Sequence, residues 1–93
     1  MAKYHQDEDV RVRGERHAGI VIKDQKLLTV HRIKDGYEYW VFPGGHRRSG
    51  EAGVQAVIRE VYEESGIEIA NAKLVFEFKN YLMNHVDYYY LCT

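Results

Sequence analysis

The chain has 93 residues, 45% apolar and 29% charged, which suits one small soluble domain and excludes a disordered or membrane-embedded composition. Thirteen Lys and Arg against 14 Asp and Glu leave a formal charge of -1, which argues against broad nonspecific binding to nucleic acid. The longest apolar run, around Ile20–Ile22, is far too short to cross a bilayer, the polar start at Met1–Asp9 does not read as a secretory leader, and the single Cys92 excludes an internal disulfide and fits a reducing cytoplasm.

Residues 1–16 are charged and read as an N-terminal arm, with Val10 and Val12 as candidates for a short edge strand. The domain proper is expected over residues 17–93. His17–Lys23 reads as a first strand, and Asp24-Gln25 turns into a second over Lys26–Ile33. The Asp35-Gly36 pair is the strongest hairpin signal and leads into a third strand over Glu38–Phe42. Pro43-Gly44-Gly45 ends that strand, and a polar loop runs from His46 to Gly50. Ser49 is the expected N-cap of a helix with Glu51 in its first turn, running to Ser65 and stopped by Gly66. Leu74–Leu82 follows as a strand with Leu74, Phe76 and Phe78 on one side and Glu77 and Lys79 on the other. Asn84-His85 turns, and Val86–Cys92 forms the last strand.

At about 100° per residue, Val54, Val57, Ile58, Val61 and Ser65 form the expected core stripe of the helix. Glu60, Glu63 and Glu64 fan over the adjoining surface at i,i+3 and i,i+4 spacing, where like charges repel. Arg59 offsets part of this. Three converging carboxylates are a candidate site for Mg2+ or Mn2+, which prefer oxygen ligands. A solvated acidic face is the alternative for these residues taken alone.

The surrounding pattern bears on that choice. From Gly45 the chain runs through five residues to Glu51, seven more to Arg59, then Glu60-Val61-Tyr62-Glu63-Glu64-Ser65-Gly66-Ile67. It resembles the Nudix box, Gly-x5-Glu-x7-Arg-Glu-U-x-Glu-Glu-x-Gly-U with U aliphatic, at every defined position. A chance match is about one in a billion per start. The resemblance implies an α/β/α sandwich with a mixed sheet and a metal-dependent pyrophosphohydrolase that cleaves a nucleoside diphosphate linked to another moiety by water attack on phosphorus. Carried over to this chain, it implies Glu60, Glu63, Glu64 and the Gly44 carbonyl as metal ligands. It implies Glu51 as a supporting acid and Arg59 as the arginine that orients a catalytic glutamate. Glu64 is the nominee for general base, with Glu51 and Glu63 as alternatives.

Members of this family usually continue into a further strand-loop segment and a C-terminal helix, so the domain is expected to be incomplete, with one sheet face bare. That face suggests a homodimer. A Nudix-fold binding or regulatory module without turnover is the alternative function. The expected partner is a small nucleotide-type molecule, with no nucleic-acid polymer and no membrane. Arg47 and Arg48 are candidate contacts to substrate phosphates, with a solvated loop as the alternative. Tyr39, with Tyr37 and Trp40, is a candidate to stack on a base, and hairpin packing explains the same rings. Tyr88-Tyr89-Tyr90 alternates faces, so at least one ring is a candidate to line a cleft, and strand propensity explains the run equally well. His46 reads as a surface residue and Cys92 as inert.

Overall fold

The computed structural model describes residues 11–93. Val10 of the expected edge strand lies outside them, and Arg11 makes one isolated bridge to Arg48. Strand β1 spans Glu15–Lys23, so the expected boundary at residue 16 falls inside a strand. Strand β2 spans Lys26–Leu27 and β3 spans Val30–Lys34. The single strand expected over 26–33 is therefore broken, because the Leu28 N–H donates to the Val21 carbonyl (2.9 Å) and Leu28 packs on the core instead.

Strand β4 spans Tyr37–Val41 and pairs antiparallel with β3 as a separate two-stranded sheet. Asp35 and Gly36 both take positive φ, 52° and 81°, between the paired residues Lys34 and Tyr37. That is the two-residue turn whose twist matches the strands it joins. Gly44–Gly45, expected to be only a strand end, forms a two-residue strand of its own, β5, paired with His17 and Ala18 of β1. Helix α1 covers Gly53–Ser65, β6 covers Ala72–Asn80 and β7 covers His85–Cys92.

The main sheet runs β2-β1-β7-β6, with β5 on the same edge of β1 as β2. Only the β1–β7 pair is parallel, so the sheet is mixed. Helix α1 covers one face of it. Val57 and Val61 are fully buried there and pack with Ile69, Tyr90 and Cys92. Close approach of helix to sheet requires Gly19, where a Cβ would stand 3.0 Å from Cys92 Sγ and 3.1 Å from Val57 and Val61 methyls. The sheet and this helix make up the described part of the expected α/β/α sandwich.

The β6 expectation needs two corrections. A register shift between Leu74 and Phe76 puts Leu74 opposite Tyr90, on the helix side, while Phe76 pairs with Tyr89 on the far side. The strand also ends at Asn80, because the Asn80 Oδ1 accepts the Met83 N–H (3.2 Å) and starts the turn. On the far face Ile20, Phe42, Phe76, Phe78 and Tyr89 surround a shallow apolar depression.

Gly19→Val should therefore destabilise the domain by overpacking, by about 1–3 kcal/mol. Urea unfolding should show a lower midpoint at unchanged slope. An unshifted midpoint would contradict the packing described.

Candidate functional site

The helix stripe lies rotated from its expected position. Ala56, Val57 and Val61 are buried, whereas Val54 is exposed. Because i,i+3 and i,i+4 residues share a side, Glu60 and Glu64 fall within the buried face rather than beside it. Their side chains are 16% and 20% exposed, against 47% for Glu63. Glu60 abuts Gly45, where an added Cβ would run into its carboxylate. Glu64 Oε1 accepts the Gly44 N–H (3.0 Å), and Arg32 lies 3.5 Å from Glu64 Oε2.

Burial pushes the Glu60 carboxyl up to about 7; Arg59 opposes that shift, and the carboxylates of Glu64 and Glu63 add to it. A buried acid crowded by two others is short of positive charge. Its all-oxygen donor set matches a hard divalent cation. Among the described residues, no three His, Cys, Asp or Glu side chains are gathered as a ready-made cluster. Glu63 turns instead toward Arg59 (3.3 Å) and Arg48 (3.8 Å). Gly44 stands beside Glu64 and meets it through its N–H.

Glu51 does not enter the first turn of α1. Ala52 takes the N-cap position, its N–H donating to Gln55 Oε1 (3.0 Å), and Ser49 lies in the loop before it. The physical reason is a two-point ion pair: Arg59 Nε and Nη2 donate to the two Glu51 oxygens, each at 2.9 Å. The Arg48 N–H also donates to Glu51 (2.9 Å). These bonds, led by the one from Arg59, hold the Glu51 carboxyl below its usual value, and Glu51 raises the Arg59 guanidinium in turn. With both oxygens held, Glu51 anchors the loop. Arg59 also donates to the His46 carbonyl (3.2 Å), tying the loop to the helix.

Arg47 is engaged elsewhere than expected. Its Nε donates to Glu15 (2.6 Å) and its Nη1 to the Glu51 carbonyl (3.3 Å). Glu15 also accepts from His17 Nε2 (2.7 Å), whose ring is 4% exposed, hydrogen-bonded through Nδ1 to the Tyr90 hydroxyl (2.9 Å) and stacked on Tyr88. Burial works against ionising Glu15, but hydrogen bonds from His17 and Arg47 outweigh it and hold its carboxyl down. Neither Glu15 nor His17 stood out in the sequence. The only hint was the alternation of Tyr88 and Tyr90 in a strand.

Arg48 remains at the loop surface beside Glu63. Tyr39 pairs with Arg32 across the hairpin, so it shares the face that reaches Glu64. Trp40, Phe42 and Tyr89 meet on another side, lining a cavity of about 500 Å3 with Arg16, Asp87, Ala18, Leu27, Thr29 and Val41. Arg16 donates to the Phe42 carbonyl (2.8 Å) and so fixes that wall.

The raised Glu60 value has a defined sign. Its protonated form is favoured by the fold, so its contribution to stability is present below about pH 4.5 and lost as pH rises toward 7. In metal-free buffer, the wild type should lose melting temperature between these values relative to Glu60→Gln. Parallel melting curves for the two proteins would contradict the assignment. Added Mg2+ should raise the wild-type melting temperature above pH 7 and leave Glu60→Gln nearly unchanged.

The NUDIX domain family model matches residues 14–93. The uncharacterized Nudix hydrolase YvcI of Bacillus subtilis is 46% identical over 57 residues, 59% of this chain and 35% of that protein. An RNA pyrophosphohydrolase of Mannheimia succiniciproducens is 33% identical over 66 residues, 71% of this chain and 34% of its own length. Among solved structures, a MutT from a study of the Aliivibrio salmonicida and Vibrio cholerae proteins superposes with a TM-score of 0.69 at 29% identity. That match covers 87% of this chain and 63% of that one. The chain thus spans about a third of the length of the curated relatives it matches. A match to the family model over most of the sequence, together with the shared fold, makes this chain a member of the Nudix family.

Proposed function

We propose that the domain is a divalent-cation-dependent pyrophosphohydrolase acting on a nucleoside diphosphate linked to another moiety. The observation that carries this reading is the pair of carboxylates, Glu60 and Glu64, held in the buried face of α1 against Gly44 and Gly45. Glu60, Glu63 and Glu64 are the side chains that would hold Mg2+ or Mn2+, with Gly44 beside them. Such an ion polarises phosphoryl oxygens and lowers the pKa of bound water. Arg59, clamped by Glu51, keeps the loop and the helix in one arrangement. Both Glu51 oxygens are held by Arg59 at 2.9 Å, whereas the arginines beside Glu64 and Glu63 stand at 3.3–3.8 Å, which favours Glu64 or Glu63 as the group that takes a proton from attacking water.

Arg48 supplies a guanidinium at the loop surface for substrate phosphates. The cavity walled by Trp40, Phe42 and Tyr89 suits a flat apolar group such as a nucleobase, and Phe42 lies two residues before Gly44. Tyr39 faces the glutamates from the hairpin. The relatives named RNA pyrophosphohydrolase make a 5′-triphosphorylated oligoribonucleotide a necessary member of any substrate panel. Among the described residues no helix is long and apolar enough to cross a membrane, and the free, buried Cys92 suits a reducing cytoplasm.

The test is product release from nucleoside triphosphates, nucleoside diphosphate conjugates and 5′-triphosphorylated RNA, with Mg2+, Mn2+ or chelator. Glu63→Gln and Glu64→Gln should each lower the cation-dependent rate by about a hundredfold or more. Unchanged rates in both would sink the mechanism, and saturable binding of a panel member with no turnover would identify a binding module.

The apolar far face of the sheet favours self-association. Sedimentation should show a concentration-dependent dimer that Phe76→Lys and Phe78→Lys dissolve. A monomer at every concentration would contradict it.

A further inference from the structure

Outside the glutamate site, four nitrogen-bearing side chains converge on a second cavity of about 440 Å3. Arg11, Arg13, His46 and His85 line it together with Gly14 and Met83, and among the described residues no carboxylate is in its walls. The walls come from three separate stretches of chain, each held by the backbone. Arg11 bridges Arg48, the Val12 N–H donates to the Arg47 carbonyl (2.9 Å), and the Val86 N–H donates to the Gly14 carbonyl (3.0 Å). His46 is oriented by its Nδ1, which donates to the Glu15 carbonyl (2.8 Å), and its ring lies 6.3 Å from that of His85.

One feature marks the cavity as a receptor for negative charge. Among the described residues, neither Arg11 nor Arg13 forms an ion pair, although every other arginine except Arg16 does. His85 Nε2 is buried and finds no hydrogen-bond partner among the described residues. Asp87 Oδ1 is likewise buried without a partner among the described residues, so that ring atom is closed off beside the carboxylate and not offered to the cavity. Among the described residues, Asp87 approaches His85 Nδ1 at 3.8 Å and is not one of the cavity walls.

We propose that this cavity binds a phosphate group. Two guanidinium forks form a donor set suited to a tetrahedral dianion, which accepts several charge-assisted bonds at once. The volume leaves room for an organic group carrying the phosphate. Both donors, Arg11 and Arg13, lie before residue 14, where the family match begins. His46 couples it to the glutamate cluster: its ring lines the cavity, its carbonyl accepts from Arg59, and the preceding Gly45 abuts Glu60. The phosphate comes either from a phosphorylated outer end of the substrate or from a separate phosphorylated ligand.

The experiment is titration of the metal-free domain with inorganic phosphate at constant ionic strength, read on the imidazole resonances of His46 and His85. Saturable shifts are expected, and chloride at equal ionic strength should produce none. Arg11→Ala with Arg13→Ala should weaken phosphate binding by about tenfold or more, while Arg11→Lys with Arg13→Lys, which keeps the charge and loses the forks, should weaken it less. Glu63→Gln should bind phosphate normally while losing turnover, which separates this site from the proposed hydrolysis. No saturable shift in the wild type, or equal affinity in the double alanine variant, overturns the proposal. KM values for diphosphate substrates with and without a terminal phosphate monoester then distinguish the sources. A selective rise in the double alanine variant assigns the site to the substrate, and equal KM values assign it to a separate ligand.

Discussion

The arrangement depends on one costly contact, the burial of the Glu60 carboxyl between α1 and the Gly44–Gly45 strand. A helix normally presents apolar residues to a sheet. Here the buried face of α1 carries two acids beside Val57 and Val61. Room for them exists because β5 has no side chains: a Cβ at Gly45 would meet Glu60, and one at Gly44 would meet β1 itself. The pair of glycines thus does two things at once, bringing β5 against β1 and leaving a hollow for carboxylates. Without a cation, the fold tolerates the acid by keeping it partly protonated, as the value near 7 indicates.

Two ion-pair clamps hold the loop that follows β5. Arg59 grips Glu51 from the helix, and Glu15 grips Arg47 from β1. Each clamp has a second tie: Arg59 also reaches the His46 carbonyl, and Glu15 is backed by His17 and Tyr90. Partly buried charge pairs of this kind give modest net stability, since desolvation offsets their attraction. Their consequence is positional. Loop residues 46–51 have their backbone set from both sides, so Arg48 and His46 are presented from a defined surface.

Much of this was legible in the sequence, for physical reasons that differ by element. The 3.6-residue period, Gly66 and the Asp35-Gly36 turn act locally, and the body of α1, its exit and the hairpin turn appeared where expected, whereas the start of α1 moved from Ser49 to Ala52. The spacing of Glu60, Glu63 and Glu64 on a helix is also local. Long-range matters were not legible. Composition places Val54, Val57, Ile58 and Val61 on one stripe, but the sheet chose a stripe shifted toward Ala56, Glu60 and Glu64, because β5 could accept the acids. Arg47 looked available until Glu15, 32 residues earlier in the chain, was brought beside it. The extra residue in β6 at Leu74–Phe76 carries no signal in an alternating pattern, yet it reverses the side on which Leu74 lies.

The same register logic explains how one strand pair serves two surfaces. In the parallel β1–β7 ladder, His17 pairs with Tyr88, Ala18 with Tyr89 and Gly19 with Tyr90. His17, Tyr88, Gly19 and Tyr90 face the helix, where they brace Glu15 and admit α1. Arg16, Ala18, Asp87 and Tyr89 face the other way and line the aromatic cavity. A slip of one residue exchanges the two sets. Such a slip would turn Tyr89 toward the helix in place of Tyr90 and would carry the Tyr90 hydroxyl away from His17. The loop clamp and the cavity therefore stand or fall on a single pairing of β1 with β7. That dependence is why a run of three tyrosines, uninformative as composition, supplies support to one side of the domain and a ring to the other.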